Sequence, residues 1–320
     1  MSRGSFSEKD AKLFLSELYS ITGREFEPET LQPTLANLVT TVRGQIAEFD
    51  YDILIAIDQD TQERTYCFVN VSSDLATQFA TTYSADELSF IRRLLDGMFA
   101  KYNSPRMEVM ALTKEQCLPL GRPPVGSTPR QRPPTQNDDA PTPSQAIDRG
   151  ITHSDVNRIL KELVDANWLK HSVQGFYSLS TRGIAELRTW LEDTYNDGEQ
   201  DQATWQRIKI CMACRELLTQ GQRCSNLDCL VRFHKRCSAT FFGSRRTHEC
   251  PKCNTSWTGK SYVGEKAITE GRLYQQQQRN GRGRRSNVAE DVFQRGNEPH
   301  DDDLIEEEAP EDADGDGMEE

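Results

Sequence analysis

The sequence contains no apolar segment of the kind that sends a chain to or through a membrane. Its first ten residues, MSRGSFSEKD, hold no hydrophobic core, so no secretory signal is expected. The longest purely apolar run of the first half, Ile53 to Ile57, is five residues, against about 20 for a helical span. Apolar residues are scarce overall, at 36 % of 320 residues against 28 % charged, with a mean hydropathy of −0.70. Part of the chain is therefore not expected to pack. The expectation is a soluble intracellular protein without membrane contact, whose nine cysteines meet a reducing compartment, where clustered Cys bind metal more often than they pair as disulfides.

Basic side chains are missing from the end of the chain. Residues 298–320 carry 13 acidic residues and no Lys or Arg. Without them the rest has 38 basic against 37 acidic side chains, so the formal net charge of −12 belongs to a tail and not to a fold.

Composition divides the chain. Eight of its 14 prolines lie between Pro119 and Pro143, which reads as an extended linker over residues 119–143. Before it, residues 1–118 alternate helix and strand patterns. Ser7 with Asp10 opens a helix with the stripe Phe14, Leu15 and Leu18. A second helix carries Leu31, Leu35, Leu38, Val39, Val42 and Ile46, with Pro33 harmless in its first turn. DYDILIAID and RTYCFVNV flank the turn QDTQE as a hairpin. Ser84 and Glu87 then cap a helix with Leu88, Ile91, Leu95, Met98 and Phe99. Residues 144–197 repeat this more compactly: a helix opened by Thr152 and Asp155, a hairpin turning at Gln174-Gly175, and a closing helix with Ile184, Leu187 and Leu191. Both segments read as winged-helix-like modules. Residues 205–260 hold a cysteine cluster, and residues 265–320 read as a disordered tail, basic then acidic. The fold class is α+β.

The basic excess a DNA reader needs is also lacking. Residues 1–112 have 10 basic and 17 acidic side chains, and residues 144–197 have six and eight. The candidate recognition helix, SDVNRILKELVDAN, has two basic and three acidic. Duplex binding is largely electrostatic, so the modules point to protein partners, with direct DNA contact weak or indirect. Residues 205–260 reverse the balance, with 11 basic and three acidic side chains; seven thiolates and two zinc ions would reduce the excess to about +5. Such a surface suits DNA, an acidic protein face, or neither. RNGRGRR, Arg279 to Arg285, reads as a nuclear-import signal, a nucleic-acid contact or simply a solvated run.

The strongest chemical signal is the ordered set Cys211, Cys214, Cys224, Cys229, His234, Cys237, Cys250 and Cys253, separated by two, nine, four, four, two, twelve and two residues. Four close pairs of soft ligands suit two tetrahedral zinc ions, each short pair bending one turn of backbone around one metal. The order is that of cross-braced RING and PHD-type domains, in which the first and third pairs share one ion and the second and fourth the other. That assigns Cys211, Cys214, His234 and Cys237 to one zinc, and Cys224, Cys229, Cys250 and Cys253 to the second. No ligand position stays open, so both ions are expected to be structural. His248 falls outside the pairs, Cys67 reads as a small buried hydrophobe, and Cys117 has no evident partner.

Together these features resemble the RING-bearing first non-SMC element subunit of the SMC complex devoted to DNA repair. The resemblance spans about residues 5–260 and rests on the ligand array ending in CPKCNTSW, on CSNLDCLVRFHKRC, and on the upstream segments KYNSPRMEVMAL and LVDANWLKHSVQGFYSLSTRGIAEL. It implies a nuclear, chromatin-associated ubiquitin ligase subunit that binds a MAGE-fold partner and the kleisin bridging the SMC heads. Such a ligase has no covalent nucleophile; it orients a ubiquitin-loaded conjugating enzyme. Met212 and Pro251 stand at the positions that usually touch that enzyme, although zinc-loop packing explains them equally. Two departures are present: Asn254 occupies the place of a common cationic residue, and the spacing around Cys229 is closer to PHD domains. The alternatives are a non-catalytic, zinc-stabilised interaction subunit and a PHD-like reader of histone tails; against the latter, His248 stands where PHD domains usually carry Trp.

Overall fold

The computed structural model describes residues 4–23, 28–71, 82–124, 148–196, 205–245, 247–271, 274–275 and 288–297. Most of the Pro-rich linker, the Arg279–Arg285 cluster and the acidic run from Glu298 lie outside the described residues. Among the described residues, no helix is long and apolar enough to cross a membrane.

The amino-terminal layer is a sheet of β1 (Ser5–Ser7), β2 (Tyr51–Ile57) and β3 (Arg64–Asn70), in the antiparallel order β1-β3-β2. The hairpin closes at Asp58, whose Oδ1 accepts the amides of Asp60 and Thr61 at 2.9 and 2.8 Å. A carboxylate holding its own turn in this way lets a polar stretch reverse the chain. Helix α1 (Glu8–Ile21) starts where Ser7 Oγ accepts the Asp10 amide at 3.0 Å, and α2 (Leu31–Ile46) carries Pro33 in its first turn. The two helices meet the sheet through Leu15, Leu35 and Tyr66. Here the structure departs from the expected stripe: Phe14 is 61 % exposed, and Leu18 and Leu38 are each 46 % exposed. A three-stranded sheet offers too little surface to cover both helices.

Helix α3 (Ala85–Asp96) begins with the reciprocal Ser84–Glu87 capping box and continues as a π-helical turn through Lys101. Phe90, Ile91, Leu94, Leu95, Met98 and Phe99 are buried along it. The chain then turns back on itself through an antiparallel Asn103–Glu108 bridge before β4 (Leu112–Thr113) and the single turn α4 (Lys114–Cys117). Across the Pro-rich segment, Thr152 and Asp155 cap α5 (His153–Asp165), whose Val156, Ile159, Leu160 and Leu163 face the core. Strands β5 (Leu169–His171) and β6 (Phe176–Leu179) and helix α6 (Thr181–Tyr195) follow. The β5–β6 turn uses Gly175 at φ +89°, a conformation that favours glycine.

This second sheet has the order β4-β6-β5, with Leu112 opposite Tyr177. Its edge strand thus comes from before the Pro-rich segment. Tyr195 Oη donates to Asp96 Oδ1 at 2.8 Å, and Arg93 pairs with Asp148 while donating to the Leu120 carbonyl at 2.6 Å. The main core is continuous from Tyr83 to Val263, so α3, α5, α6 and the cysteine-rich domain share one interior.

The cysteine-rich domain comprises β7 (Lys209–Ile210) paired with β8 (Leu217–Leu218), a sheet in which β9 (Gly221–Arg223) lies between β10 (Arg232–Phe233) and β11 (Tyr262–Val263), and α7 (Lys235–Gly243). Beyond residue 265, where disorder is expected, the described residues include helices α8 (Lys266–Thr269) and α9 (Val288–Asn297). The cause is local burial. Ile268 and Val292 pack with Met107, Val109 and Phe176, apolar contacts that offset the entropy of ordering a polar stretch.

Candidate metal centre

Two local turns shape the cysteine-rich domain. Cys211 and Cys214 sit on a knuckle closed by the Arg215 amide donating to the Cys211 carbonyl at 2.9 Å. Cys250 and Cys253 sit on a second knuckle, closed by the Asn254 amide on the Cys250 carbonyl at 3.0 Å. Arg215 and Asn254 occupy equivalent positions after the second Cys, with φ +61° and +59°. Asn adopts this left-handed conformation more readily than most residues, which gives Asn254 a backbone reason to be there. His234 and Cys237 lie at the start of α7, and Cys224 and Cys229 flank the loop between β9 and β10.

Folding brings these residues into two groups. The ligand atoms of Cys211, Cys214, His234 and Cys237 lie within 4.8 Å of one another, as do those of Cys224, Cys229, Cys250 and Cys253. In the all-thiol group, Sγ of Cys224 is 3.5 Å from that of Cys253, and Sγ of Cys229 is 3.6 Å from that of Cys250. A tetrahedral ion with bonds of about 2.3 Å to sulfur sets such edges near ~3.8 Å, so the donor chemistry and spacing fit zinc. In the mixed group, His234 Nδ1 lies 3.3 Å from Cys214 Sγ, and its Nε2 faces the Leu217 carbonyl at 3.2 Å. An N–H at Nε2 donating to that carbonyl leaves Nδ1 free to ligate, the usual outer hydrogen bond of a metal-binding histidine.

The thiols are electrostatically uneven. Burial raises the Cys211 thiol, but the His234 hydrogen bond and surrounding backbone amides outweigh it and bring it down to about 6. The hydroxyl of Thr255, with its backbone amide, likewise brings Cys253 down to about 6. Cys214 and Cys229 are raised, chiefly by burial. Each group thus contains at least one thiol poised to ionise, as metal capture requires.

Cys67 and Cys117 join neither group. Both are buried, and burial pushes the Cys67 thiol up to about 12. His248 also stands apart, stacked on Phe242 with ring centroids 5.8 Å apart. Met212 is 37 % exposed, its amide donating to the Arg232 carbonyl at 2.9 Å; Pro251 is partly exposed on the second knuckle.

A residue outside the cysteine-rich segment pairs with its buried basic side chains. Glu108, paired with Asn103 across the turn before β4, is fully buried. Its two carboxylate oxygens each accept from Arg232, Nε to Oε2 and Nη2 to Oε1, both at 2.6 Å. Trp205 Nε1 adds a bond of 3.0 Å to Oε1, and Lys209 and Arg223 lie 3.5 and 3.4 Å from the same oxygen. Burial alone would raise the Glu108 carboxyl, but Arg232, Lys209 and Arg223 hold it at about 2. Burial lowers the Lys209 ammonium to about 7, with Glu108 opposing the shift. Three of the basic residues of 205–260 are therefore internal and contribute nothing to a surface patch. The only trace of this in the sequence is that Lys209, Arg223 and Arg232 each neighbour apolar or ligand positions; nothing in it points to Glu108.

A mixed helix and sheet scaffold carrying a closed, two-site cysteine–histidine domain defines a protein of RING-like type. The comparisons agree and go further. Residues 211–253 match the RING-like domain model, and residues 1–187 match the model described as the Nse1 non-SMC component of the SMC5-6 complex. The chain belongs to the Nse1 family, as its motifs led us to expect. It is 23 % identical over 257 residues to the human Non-structural maintenance of chromosomes element 1 homolog, covering 80 % of each chain. It is 34 % identical over 103 residues to the Xenopus laevis homolog, covering 32 % of this chain and 34 % of the other, and 20 % identical over 236 residues to the Schizosaccharomyces pombe protein, covering 72 % and 80 %. Among solved structures, a chain of an Nse1-Nse3-Nse4 complex shares the fold, with a TM-score of 0.58 and 21 % identity over 81 % of this chain and 92 % of that one.

Proposed function

We propose that the protein is a RING-type ubiquitin ligase subunit of a nuclear, chromatin-associated SMC complex for DNA repair, holding two structural zinc ions. Cys211, Cys214, His234 and Cys237 would ligate one ion, and Cys224, Cys229, Cys250 and Cys253 the other. The observation that carries this reading is the pair of four-donor groups on a chain of the Nse1 family. All four positions of each group are protein ligands, so the metal supplies shape, not a reacting water. Catalysis would then be orientation: a docked conjugating enzyme would hold its ubiquitin thioester in an attack-ready pose. Met212 and Pro251, both accessible and one on each knuckle, are the proposed contacts.

The proposed partners are a MAGE-fold subunit and a kleisin, in keeping with the Nse1-Nse3-Nse4 composition of the solved complex. The apolar side chains Phe6, Leu13, Phe14 and Leu18, left exposed on the amino-terminal layer, support a protein-binding role for that module. A non-catalytic interaction subunit is the second reading, and Asn254 favours it, because it puts a neutral side chain in a place where many RING ligases carry a cation.

The test is discharge of ubiquitin from a loaded conjugating enzyme onto free lysine, with the protein alone, with its MAGE-fold partner, and with a Met212→Ala, Pro251→Ala variant that retains its metal. Stimulation that needs the partner and is lost in the variant supports the ligase. No stimulation across a broad panel of conjugating enzymes, with metal and partner bound, leaves the non-catalytic reading.

A further inference from the structure

Arg232 is 1 % exposed and Glu108 0 %, yet they are 124 residues apart in the chain. A guanidinium taken so far from water needs a carboxylate and saturated donors. Arg232 has both. Beyond its two bonds to Glu108, its Nη1 donates to the carbonyls of Cys229 and Val231 at 2.6 and 2.8 Å. Arg223 also binds backbone: Nη1 reaches the Pro105 carbonyl at 2.8 Å and Nη2 the Leu227 carbonyl at 3.2 Å, while its Nε has no hydrogen-bond partner among the described residues. Leu227, Cys229 and Val231 lie on the loop that carries Cys229 and leads to His234. The backbone of Glu108 is fixed as well, its carbonyl accepting the Gly264 amide at 2.8 Å.

We propose that Glu108 is a positioning residue for the all-thiolate metal site, acting through Arg232 and Arg223 to hold the Cys224–Val231 loop in its ligating shape. With the carboxylate in place, Arg232 Nη1 points at the Cys229 and Val231 carbonyls and Arg223 Nη2 at that of Leu227, while Arg223 Nη1 reaches back to Pro105. Without it, the buried guanidiniums of Arg232 and Arg223 face each other, beside Lys209, with no counter-charge. They must then turn toward water, and the loop carbonyls lose their donors. The mixed site depends less on Glu108, because His234 is oriented by the Leu217 carbonyl and Cys211 and Cys214 by their own knuckle. Metal retention in the cysteine-rich domain therefore depends on a side chain outside it, in the segment KYNSPRMEVM. This inference rests on the zinc reading above.

The experiment uses the full chain, unmodified and as Glu108→Gln, with circular dichroism to establish helical folding. Zinc is counted by transfer to a chromogenic chelator, and cadmium-113 NMR of the cadmium-loaded protein separates the all-thiolate site from the one with an imidazole. We expect Glu108→Gln to weaken metal binding at the all-thiolate site by about 10- to 100-fold, the range for loss of an outer-shell partner, with the mixed site little changed. Retention at both sites like that of the unmodified chain overturns the proposal, as does equal loss from both, which would mark a merely global destabilisation. If Glu108→Gln does not fold, Glu108→Asp decides: it keeps the charge but falls one methylene short of the two 2.6 Å bonds to Arg232. Faster release from the all-thiolate site than in the unmodified chain upholds the proposal, and an identical rate overturns it. An unmodified chain that binds no zinc would instead remove the zinc reading itself.

Discussion

Gln59 donates its Nε2 to the Leu217 carbonyl oxygen at 3.0 Å, the oxygen that also faces Nε2 of His234 at 3.2 Å. The tip of the amino-terminal hairpin thus shares an acceptor with a metal-ligand candidate. Gln59 Oε1 also takes the amides of Thr219 and Gln220 at 3.0 and 2.9 Å. The Thr219 hydroxyl donates to the same Oε1 at 3.3 Å, so Gln59→Ala removes four bonds, each worth about 0.5–1.5 kcal/mol net. Water can re-enter at this part-buried tip, so a total loss of about 1–2 kcal/mol is expected in urea unfolding.

Thiol chemistry should divide the cysteines by location. Seven of the nine belong to the two four-donor groups, and Cys67 and Cys117 are buried elsewhere. In the zinc-loaded chain, a thiol reagent is expected to find almost no rapid reaction. After chelation it should titrate seven thiols quickly, with the last two appearing only in denaturant. Burial and the raised pKa of the Cys67 thiol keep it un-ionised and slow. Nine rapid thiols after chelation would show that metal loss opens the whole chain.

Acid should weaken the link between hairpin and helix. Burial raises the Asp58 carboxyl, but the Thr61 amide and the Thr181 hydroxyl, at 2.7 Å, outweigh it and leave its pKa below the ordinary carboxylate value. A depressed carboxylate contributes stability that is fully present above its unfolded pKa and is lost as pH falls through the folded one. Asp58→Asn is therefore expected to cost about 1–2 kcal/mol near neutral pH. It should also flatten the decline in stability below about pH 4, where the unfolded Asp titrates. Parallel pH–stability curves for the two proteins would exclude this role.

The exposed apolar face of α1 should matter for binding and not for folding. Phe14, Leu18 and Ile21 recur at helical spacing and are all exposed, so Phe14→Ser with Leu18→Ser should change stability by no more than about 0.5 kcal/mol per site. If this face meets the MAGE-fold partner, the variant should lose the partner in co-purification while keeping its unfolding midpoint. Unchanged partner binding would place the interface elsewhere.

Local chemistry made much of the molecule legible. The caps at Ser7, Ser84 and Thr152 and the two hairpin turns depend on residues within a few positions of one another. So do the Cys211–Cys214 and Cys250–Cys253 knuckles; which donor pairs come together is a longer-range matter, read from the order of cross-braced domains. The buried face of α5 was equally readable, since Val156, Ile159, Leu160 and Leu163 follow the helical period. The stripes of α1 and α2 misled for a matching reason: periodicity says that a face is apolar, not what covers it.

What the sequence determined by itself was the set of candidate donors and the capped starts of α1, α3 and α5, because these follow from spacing and backbone hydrogen bonding over a turn or two. Tertiary structure alone decided that β4 crosses the Pro-rich segment to edge the second sheet, that α9 orders by burying Val292, and that three basic residues turn inward. A charge can enter a protein interior only when a counter-charge arrives with it. For Arg232 that counter-charge is Glu108, 124 residues earlier, a distance over which no local pattern can signal.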